Sequence, residues 1–266
     1  MNTDRITVKR SILAYQEERL THVEEVVATE FPLTIILNEE EFATMVCTPA
    51  HIEEMVVGFL ASEGIIHFYE KDIKSLEIDT DDGFAYVELT RPPALDHTLH
   101  SKRFLGSCCG KSRQSFYFLN DVRTAKTAMT RMRITPQTCL KLMQEMETYS
   151  HIFKETGGVH NAALCDQNGV LIARTDIGRH NALDKLYGHC LIKRMPVRDK
   201  ILTFSGRISS EILLKAAKIG VGIVLSKSAP TELALQLADE LHITTVGFIR
   251  RGKMNIYTHP QRIAEA

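Results

Sequence analysis

The spacing of apolar residues changes near residue 135, and this change constrains the fold more than any other feature of the 266-residue sequence. In the first half, short runs such as FPLTIILN and FAYVELT alternate apolar and polar residues, with the period of two that is typical of half-buried strands. PAHIEEMVVGFLASEGII has helical spacing instead, with Pro49 near its start and Gly64 as its stop. The first half therefore predicts an antiparallel β-rich lobe with one packed helix.

In the second half, helical segments separate short apolar runs. TPQTCLKLMQEMETYSHIF predicts one helix, NAALCDQNGVLIART a hairpin, and NALDKLYGHCLIKR another helix. The runs KILTFSG, VGIVLSK and ITTVGFI then alternate with two helices, the second beginning at Pro230. Such strand–helix–strand units indicate a partly parallel sheet with helices on both faces. We predict an α/β fold, α+β overall, with a lobe at 1–100, a connection at 101–130 and a three-layer αβα domain at 131–266.

The charge and apolar content of the chain limit the partners and cellular locations that we expect. A net charge of -1 provides no global attraction to nucleic acid or anionic membranes, so we expect neither partner. No run approaches the ~18 apolar residues of a membrane span, and the start lacks a signal-peptide pattern, so a cytoplasmic location is expected. There the six cysteines should remain thiols. A chain of this length can bury a core without a structural metal, and we expect none.

Two adjacent cysteines, Cys108 and Cys109, lie in the predicted connection within GSCCGKSRQS. The glycines around them are too close together for a phosphate-binding loop, which places four residues between its glycines. Adjacent cysteines are poor ligands for one zinc ion, and a vicinal disulfide would be strained and would serve only as a redox switch. Because Lys111 and Arg113 would stabilise a thiolate, the pattern favours a reactive thiol over an inert buried pair.

Polar residues mark the junctions where strands of the second half turn into helices. Such junctions should converge on one edge of the sheet, and helix starts with nearby cations suit a large polyanionic ligand. Helix capping is the alternative role for Asp176 and Asn181. A basic turn after the last buried strand would contact phosphate groups. The predicted ligand-binding residues are His160, Asp176, Gly178, Arg179, His180, Asn181, Ser205, Gly206, Arg207, Ser228, Arg250, Arg251, Gly252 and Lys253.

The order of elements also fits the architecture of the zinc deaminases. Their zinc site uses H-x-E followed by P-C-x-x-C. Here H-x-E occurs at His22 and His51, both in the first lobe, and no P-C-x-x-C follows. We therefore expect the fold to be shared and the zinc chemistry to be absent.

From about residue 30 onward, the sequence resembles the formate dehydrogenase accessory sulfurtransferase family (FdhD/NarQ type). The resemblance rests on GFLASEGII, SCCGKSRQSFYF, TGGVHNAAL, DIGRHNALDK, SGRISSEILLKA, SAPTELALQLA and GFIRRGKMNIYTHPQR. It implies a cytidine-deaminase-like fold, a homodimer, and a sulfur carrier that accepts sulfur from a cysteine desulfurase as a cysteine persulfide. The sulfur would pass to the molybdenum cofactor, bis-molybdopterin guanine dinucleotide, before its insertion into formate dehydrogenase.

The resemblance also implies roles for individual residues. Many members carry C-G-x-C-G, which aligns Cys109 with the second family cysteine, Gly106 with the first, and Cys108 with a variable position. Cys109 is therefore expected to carry the persulfide, with Cys108 as a helper. Two alternatives stay open: a cofactor chaperone without obligatory thiol chemistry, and a redox-sensing module that uses the cysteine pair. The family's cofactor-binding stretch, for which a guanine nucleotide should be a mimic, falls on Phe248, Ile249, Arg250, Arg251, Gly252 and Lys253.

Overall fold

A computed structural model describes residues 6–91, 103–105, 125 and 127–264 of the chain. Cys108, Cys109, Lys111 and Arg113 lie outside the described residues. None of the helices within these ranges is both long and apolar enough to cross a membrane.

The first lobe contains a five-stranded sheet with the order β5-β6-β3-β4-β7, and α1 packs on the face that carries Leu33 and Ile35. β1 and β2 pair with each other in a separate two-stranded sheet. The elements are β1 Thr7–Gln16, β2 Arg19–Ala28, β3 Phe31–Leu37, β4 Glu40–Cys47, α1 Ile52–Ser62, α2 Tyr69–Asp72, β5 Ile73–Asp79, β6 Phe84–Leu89 and β7 Arg103–Leu105.

The predicted antiparallel arrangement of this lobe is wrong at two pairings. β3 pairs with β6 in parallel, and β4 pairs with β7 in parallel. Parallel pairing requires a crossover connection, and the chain between each pair includes α1, which covers one face of the sheet. β7 also adds residues 103–105 to the sheet of the first lobe, beyond the boundary predicted at residue 100. The domain boundaries themselves stay predictions.

The second half forms a six-stranded mixed sheet with the order β13-β12-β11-β10-β8-β9. β10, β11 and β12 are parallel, as the alternation of apolar runs and helices predicted. The helix at SAPTELALQLA begins at Glu232 rather than at Pro230. The elements are α3 Pro136–Thr148, α4 His151–Thr156, β8 His160–Cys165, β9 Val170–Asp176, α5 Arg179–Ile192, β10 Ile201–Phe204, α6 Ser210–Ile219, β11 Ile223–Ser226, α7 Glu232–Glu240, β12 Thr244–Arg250 and β13 Lys253–Thr258.

Helices cover both faces of this sheet. Leu202 and Val224 pack against α5, α6 and α7, whereas their neighbours Ile201 and Ile223 pack against α3 on the opposite face. Burial on both faces explains why these strands are mainly apolar instead of alternating apolar and polar residues. The mixed α+β fold with an αβα second half is therefore confirmed, and the more specific likeness to cytidine deaminases stays a prediction.

The single helix predicted over TPQTCLKLMQEMETYSHIF is in fact two helices. α3 begins as expected, with the Thr135 side chain accepting a hydrogen bond from the Thr138 amide and Pro136 in the first turn. It ends at Thr148, and the hydroxyl oxygen of Ser150 accepts a hydrogen bond from the Phe153 amide at 3.2 Å. Serine at this position satisfies an otherwise unpaired amide of a new helix, so the chain restarts as α4.

The two lobes meet where α1 crosses α5. A Cβ atom on Gly58 would lie 1.8 Å from the carbonyl oxygen of Asp184, and one on Gly188 would lie 1.8 Å from the carbonyl oxygen of Glu54. The helix backbones therefore touch directly, and only glycine fits at either position. This close crossing places the end of β4 beside the second sheet.

Candidate functional site

The polar strand ends of the second half lie at one edge of its sheet. The carboxyl ends of β10, β11 and β12 share this edge because the three strands are parallel. β8 runs antiparallel to β10 and β9, so β8 begins and β9 ends at the same place. We call this the polar edge: His160, Asp176, Ser205, Ser228 and the Phe248–Lys253 turn. The predicted convergence of the junctions is confirmed.

Serine side chains link the neighbouring strand ends. The hydroxyl oxygen of Ser205 accepts a hydrogen bond from the Asn161 amide at 2.9 Å, which joins the end of β10 to the start of β8. The Ser226 hydroxyl donates to the Gly206 carbonyl at 2.7 Å and accepts from the Ser228 amide at 2.9 Å. These bonds hold the loops after β10 and β11 in one arrangement, with Arg207 exposed beyond them.

Arg179 and His180 lie at the start of α5, and His160, the first residue of β8, pairs with Asp176 at the end of β9. Burial lowers the pKa of His160, and the charge of Arg179 lowers it further, while the Asp176 carboxylate opposes this change. Burial also lowers the pKa of His180, whose Nε2 is 3.0 Å from a carboxylate oxygen of Glu211. Both imidazoles are therefore neutral near pH 7.

The Nε of Arg179 is buried and has no hydrogen-bond partner among the described residues. Beside two neutral imidazoles, this guanidinium is a donor suited to an anionic group of a ligand.

Asp176 is fully buried, and its carboxylate holds the start of α5. One oxygen accepts hydrogen bonds from the Gly178 amide at 2.7 Å and the Asn181 side chain at 2.9 Å. The other accepts from the Thr48 amide at 2.9 Å and from Lys185 Nζ at 2.6 Å. The capping alternative therefore describes Asp176, which accepts from the Gly178 amide, but not Asn181, whose side chain donates to Asp176 and to the Val46 carbonyl. Direct ligand binding by Gly178 and these two residues stays a prediction.

The basic turn between β12 and β13 follows β12 at the same edge and lies beside the loop after β11, where the Phe248 amide donates a hydrogen bond to the Ser228 carbonyl at 3.1 Å. Arg251 and Gly252 have φ angles of 51° and 74°, the left-handed conformation of a tight hairpin turn. The Arg250 guanidinium carbon is 5.5 Å from the centroid of the Phe248 ring. Ile249 is buried in the core, whereas Arg250, Arg251 and Lys253 are exposed at the polar edge. Three cations on a rigid turn suit phosphate groups.

β7 delivers the chain towards the polar edge. Its last residue, Leu105, pairs with Met45 of the parallel strand β4, and β4 leads to Thr48, which contacts Asp176. Cys109 follows Leu105 by four positions, and an extended chain of that length spans at most about 14 Å. Leu105 is thus the last described residue before the cysteine pair, which lies outside the described residues.

Comparison with known proteins places this chain among relatives. The FdhD/NarQ family model matches residues 28–264. The chain belongs to the FdhD/NarQ family. It is 62% identical over 261 residues to the sulfur carrier protein FdhD of Halalkalibacterium halodurans, covering 98% of this chain and 97% of the relative. It is 60% identical over 262 residues to that of Bacillus subtilis, covering 98% and 99%.

A solved structure agrees with the FdhD/NarQ fold described above. It is a crystal structure from Desulfotalea psychrophila of a protein named as a candidate formate dehydrogenase accessory protein. The TM-score is 0.78 at 24% identity, and the match covers 97% of this chain and 100% of the other. The similarity confirms the fold, and the family match confirms the resemblance inferred from the motifs.

The described cysteines of this FdhD/NarQ chain are unsuited to sulfur chemistry. Cys47, Cys139, Cys165 and Cys190 are all buried free thiols. Burial raises the pKa of each to about 12, so none forms a thiolate near pH 7. Cys108 and Cys109, as the two other cysteines of the chain, are the candidates for a reactive thiol.

Sequence reasoning missed two residues that organise the site. Lys185 belongs to the quoted motif DIGRHNALDK and lies three positions after Ala182, on the buried face of α5. A lysine on an apolar face needs a buried partner, and this was a usable signal. Thr48 carried no such signal, because its contact with Asp176 joins positions that are 128 residues apart.

Proposed function

We propose that this FdhD/NarQ-family chain is a sulfur carrier that binds a nucleotide-bearing molybdenum cofactor at the polar edge and passes sulfur to it. The observation that carries the proposal is the direction of β7: Leu105 leaves the first sheet towards the polar edge, four residues before Cys109. The relatives named sulfur carrier protein FdhD support the sulfur-carrying role. Formate dehydrogenase is the proposed recipient.

In the loading step, the Cys109 thiolate attacks the outer sulfur of a persulfide on a cysteine desulfurase. A new sulfur–sulfur bond forms on Cys109 while the bond in the desulfurase breaks, and its cysteine leaves as a thiolate. This loading step transfers one sulfur atom without net oxidation or reduction. In the delivery step the outer sulfur gains two electrons, which a thiol reductant supplies by forming a disulfide; the sulfur leaves as sulfide to the cofactor, and Cys109 returns to the thiolate. Lys111 and Arg113 would keep Cys109 deprotonated, and Cys108 would serve as the helper thiol.

The cofactor is the acceptor substrate, bis-molybdopterin guanine dinucleotide. Its diphosphates carry negative charges that Arg250, Arg251 and Lys253 can offset from one side of the polar edge. Arg179, with its buried and unpartnered Nε, offers a further donor, and the neutral ring of His160 offers another. We further propose, from the family resemblance, that the chain acts in the cytoplasm as a homodimer.

The test is intact-mass spectrometry without reductant after incubation with a cysteine desulfurase and free cysteine. We expect a sulfur adduct on the wild type and on Cys108→Ala, and none on Cys109→Ala. Cys109→Ala should also abolish formate dehydrogenase maturation without unfolding the chain. An adduct on Cys109→Ala but not on Cys108→Ala would transfer the carrier role to Cys108.

A cofactor chaperone is the second candidate. It is favoured by the hydrogen bonds of Ser205 and Ser226, which join neighbouring loops of the polar edge through residues outside the connection. If the protein is a chaperone, the Cys109→Ala variant should still support formate dehydrogenase maturation. Its affinity for guanosine diphosphate should equal that of the wild type. Thiol counting before and after mild oxidation separates the redox-sensing module, because only that module forms a Cys108–Cys109 disulfide reversibly.

A further inference from the structure

Lys185 and Asp176 form an ion pair in the interior between the two lobes. The Lys185 Nζ atom lies 2.6 Å from a carboxylate oxygen of Asp176, and both side chains have 0% exposure. Removing two charges from water is costly, and apolar pairs of similar size are often as stable or more so. Stability alone is therefore a weak explanation for this pair, and its other contacts are more informative.

The pair holds the end of β4 through Thr48. Asp176 accepts a hydrogen bond from the Thr48 amide at 2.9 Å, and Lys185 donates one to the Thr48 carbonyl at 3.0 Å. The Thr48 hydroxyl accepts a hydrogen bond from the Ile177 amide at 3.0 Å. The amide, carbonyl and hydroxyl of Thr48 thus each make a hydrogen bond to β9, to α5 or to the residues between them. We call Thr48, Asp176 and Lys185 the Thr48 clamp.

The position of β7 depends on that of β4. β7 has three residues and pairs with β4 from Ala43–Arg103 to Met45–Leu105. So short a strand is held mainly by its neighbour, so a shift in the end of β4 moves the point where Leu105 leaves the sheet. The Thr48 clamp therefore sets the distance between that point and the polar edge.

We propose that Asp176 and Lys185 are positioning residues for sulfur delivery: they hold β4, and through it β7, at the polar edge. Each carboxylate oxygen of Asp176 already accepts two hydrogen bonds, so the role that we propose for Asp176 is support of the site. The inference rests on the proposed sulfur-carrier function. It adds that the rate of sulfur delivery depends on how the two lobes are positioned against each other. Sulfur loading and nucleotide binding do not depend on that position.

Other contacts also join the two lobes, so a variant that lacks the Thr48 clamp should still fold, and its sulfur delivery can be measured. Besides the Gly58–Gly188 crossing, the Ser62 hydroxyl donates to Asp184 at 2.7 Å, and Arg174 donates to Glu54 at 2.7 Å. These contacts are independent of Thr48. Ser62→Ala removes a buried hydrogen bond between the lobes without touching the clamp, and so it is the matched control.

The experiment uses the full chain as wild type, Lys185→Met, Thr48→Ala, Thr48→Ser and Ser62→Ala. Four quantities are measured: thermal unfolding, sulfur loading by mass spectrometry, guanosine diphosphate affinity by calorimetry, and the single-turnover rate of sulfur transfer to the cofactor. A misplaced reacting group costs roughly tenfold to a hundredfold in rate, so we expect Lys185→Met to lose at least tenfold in transfer. Loading and nucleotide affinity should stay within about twofold of wild type, since Lys185 bonds to Thr48, Thr175 and Asp176 and not to the basic turn that is proposed to hold the diphosphates.

The threonine variants keep the test decisive if Lys185→Met fails to fold. Thr48→Ala keeps the backbone bonds to Asp176 and Lys185 and removes the bond from the Ile177 amide to the hydroxyl, so it should slow transfer by less than Lys185→Met. Thr48→Ser should restore the rate by keeping the hydroxyl, and Ser62→Ala should transfer at the wild-type rate. Wild-type transfer in a folded Lys185→Met and in Thr48→Ala overturns the inference alone. Equal slowing in Ser62→Ala also overturns it, because the effect would then be general loosening. If the wild type neither loads nor transfers sulfur, the proposed function fails and this inference fails with it.

Discussion

Replacement of Gly58 by alanine tests the close helix crossing, because two effects of known sign oppose each other. Glycine inside a helix costs about 1 kcal/mol relative to alanine, so propensity alone predicts a stabilised variant. In the structure, however, the new Cβ would lie 1.8 Å from the Asp184 carbonyl oxygen and 2.8 Å from the Gly188 amide nitrogen. Both are backbone atoms, so no rotamer change relieves the overlap.

The destabilisation expected for Gly58→Ala follows from the distance by which α1 and α5 would have to move apart. Ordinary contact begins near 3.4 Å, so α1 and α5 would have to separate by roughly 1.5 Å. Overpacking that shifts backbone costs about 1–3 kcal/mol or more, and stretching the nearby Ser62–Asp184 hydrogen bond adds about 1 kcal/mol. After the gain in propensity, we expect Gly58→Ala to lower the free energy of unfolding by about 2 kcal/mol.

Urea titration followed by circular dichroism measures this change. Gly64→Ala is the matched control, since Gly64 has a φ of 77° and an added Cβ would meet nothing within 4 Å. Its cost should be the backbone strain alone, about 1 kcal/mol. A Gly58→Ala protein that is as stable as the wild type, or more so, would refute the direct backbone contact between α1 and α5.

Two further predictions concern charge. Arg250→Glu combined with Lys253→Glu should weaken guanosine diphosphate binding by at least tenfold in calorimetry, because repulsion replaces attraction to the diphosphate. Sulfur loading should persist in this variant. Unchanged nucleotide affinity would remove the basic turn from the site. Stability should also fall as the pH decreases from 7 to 4. Burial, followed by the charge of Arg174, lowers the pKa of His51 from 6.5 to about 4, so between these values the unfolded chain binds the proton and the folded chain does not. Burial raises the pKa of Glu54, but hydrogen bonds from Arg174 and His189 outweigh this and lower it below 4.5, so its contribution is lost only under more acidic conditions. The His51 effect amounts to at most about 3 kcal/mol, and urea titrations of wild type and His51→Asn at successive pH values measure it; equal pH slopes in the two proteins would contradict it.

Local patterns account for the elements that were predicted correctly. The apolar runs of β10, β11 and β12 required burial on both faces, and the helices between them required parallel pairing. Thr135 and Pro136 marked a helix start by their own chemistry. The same reasoning overlooked the break at Ser150, because apolar spacing continues across it while one hydroxyl bond restarts the helix. A helix cap depends on the side chain of a single residue, and the spacing of apolar residues does not reveal it.

By itself, the sequence determined the element types and the family, because these depend on residues within a few positions of each other. It also determined that the polar junctions meet at one sheet edge, because strand–helix–strand units have a fixed handedness. Only the tertiary structure decided that β3 and β6 are parallel and that Gly58 meets α5 directly. It also decided that Asp176 faces Lys185 and Thr48 in the interior. These contacts join residues that are far apart in the chain, and packing and burial select them after the local elements have formed.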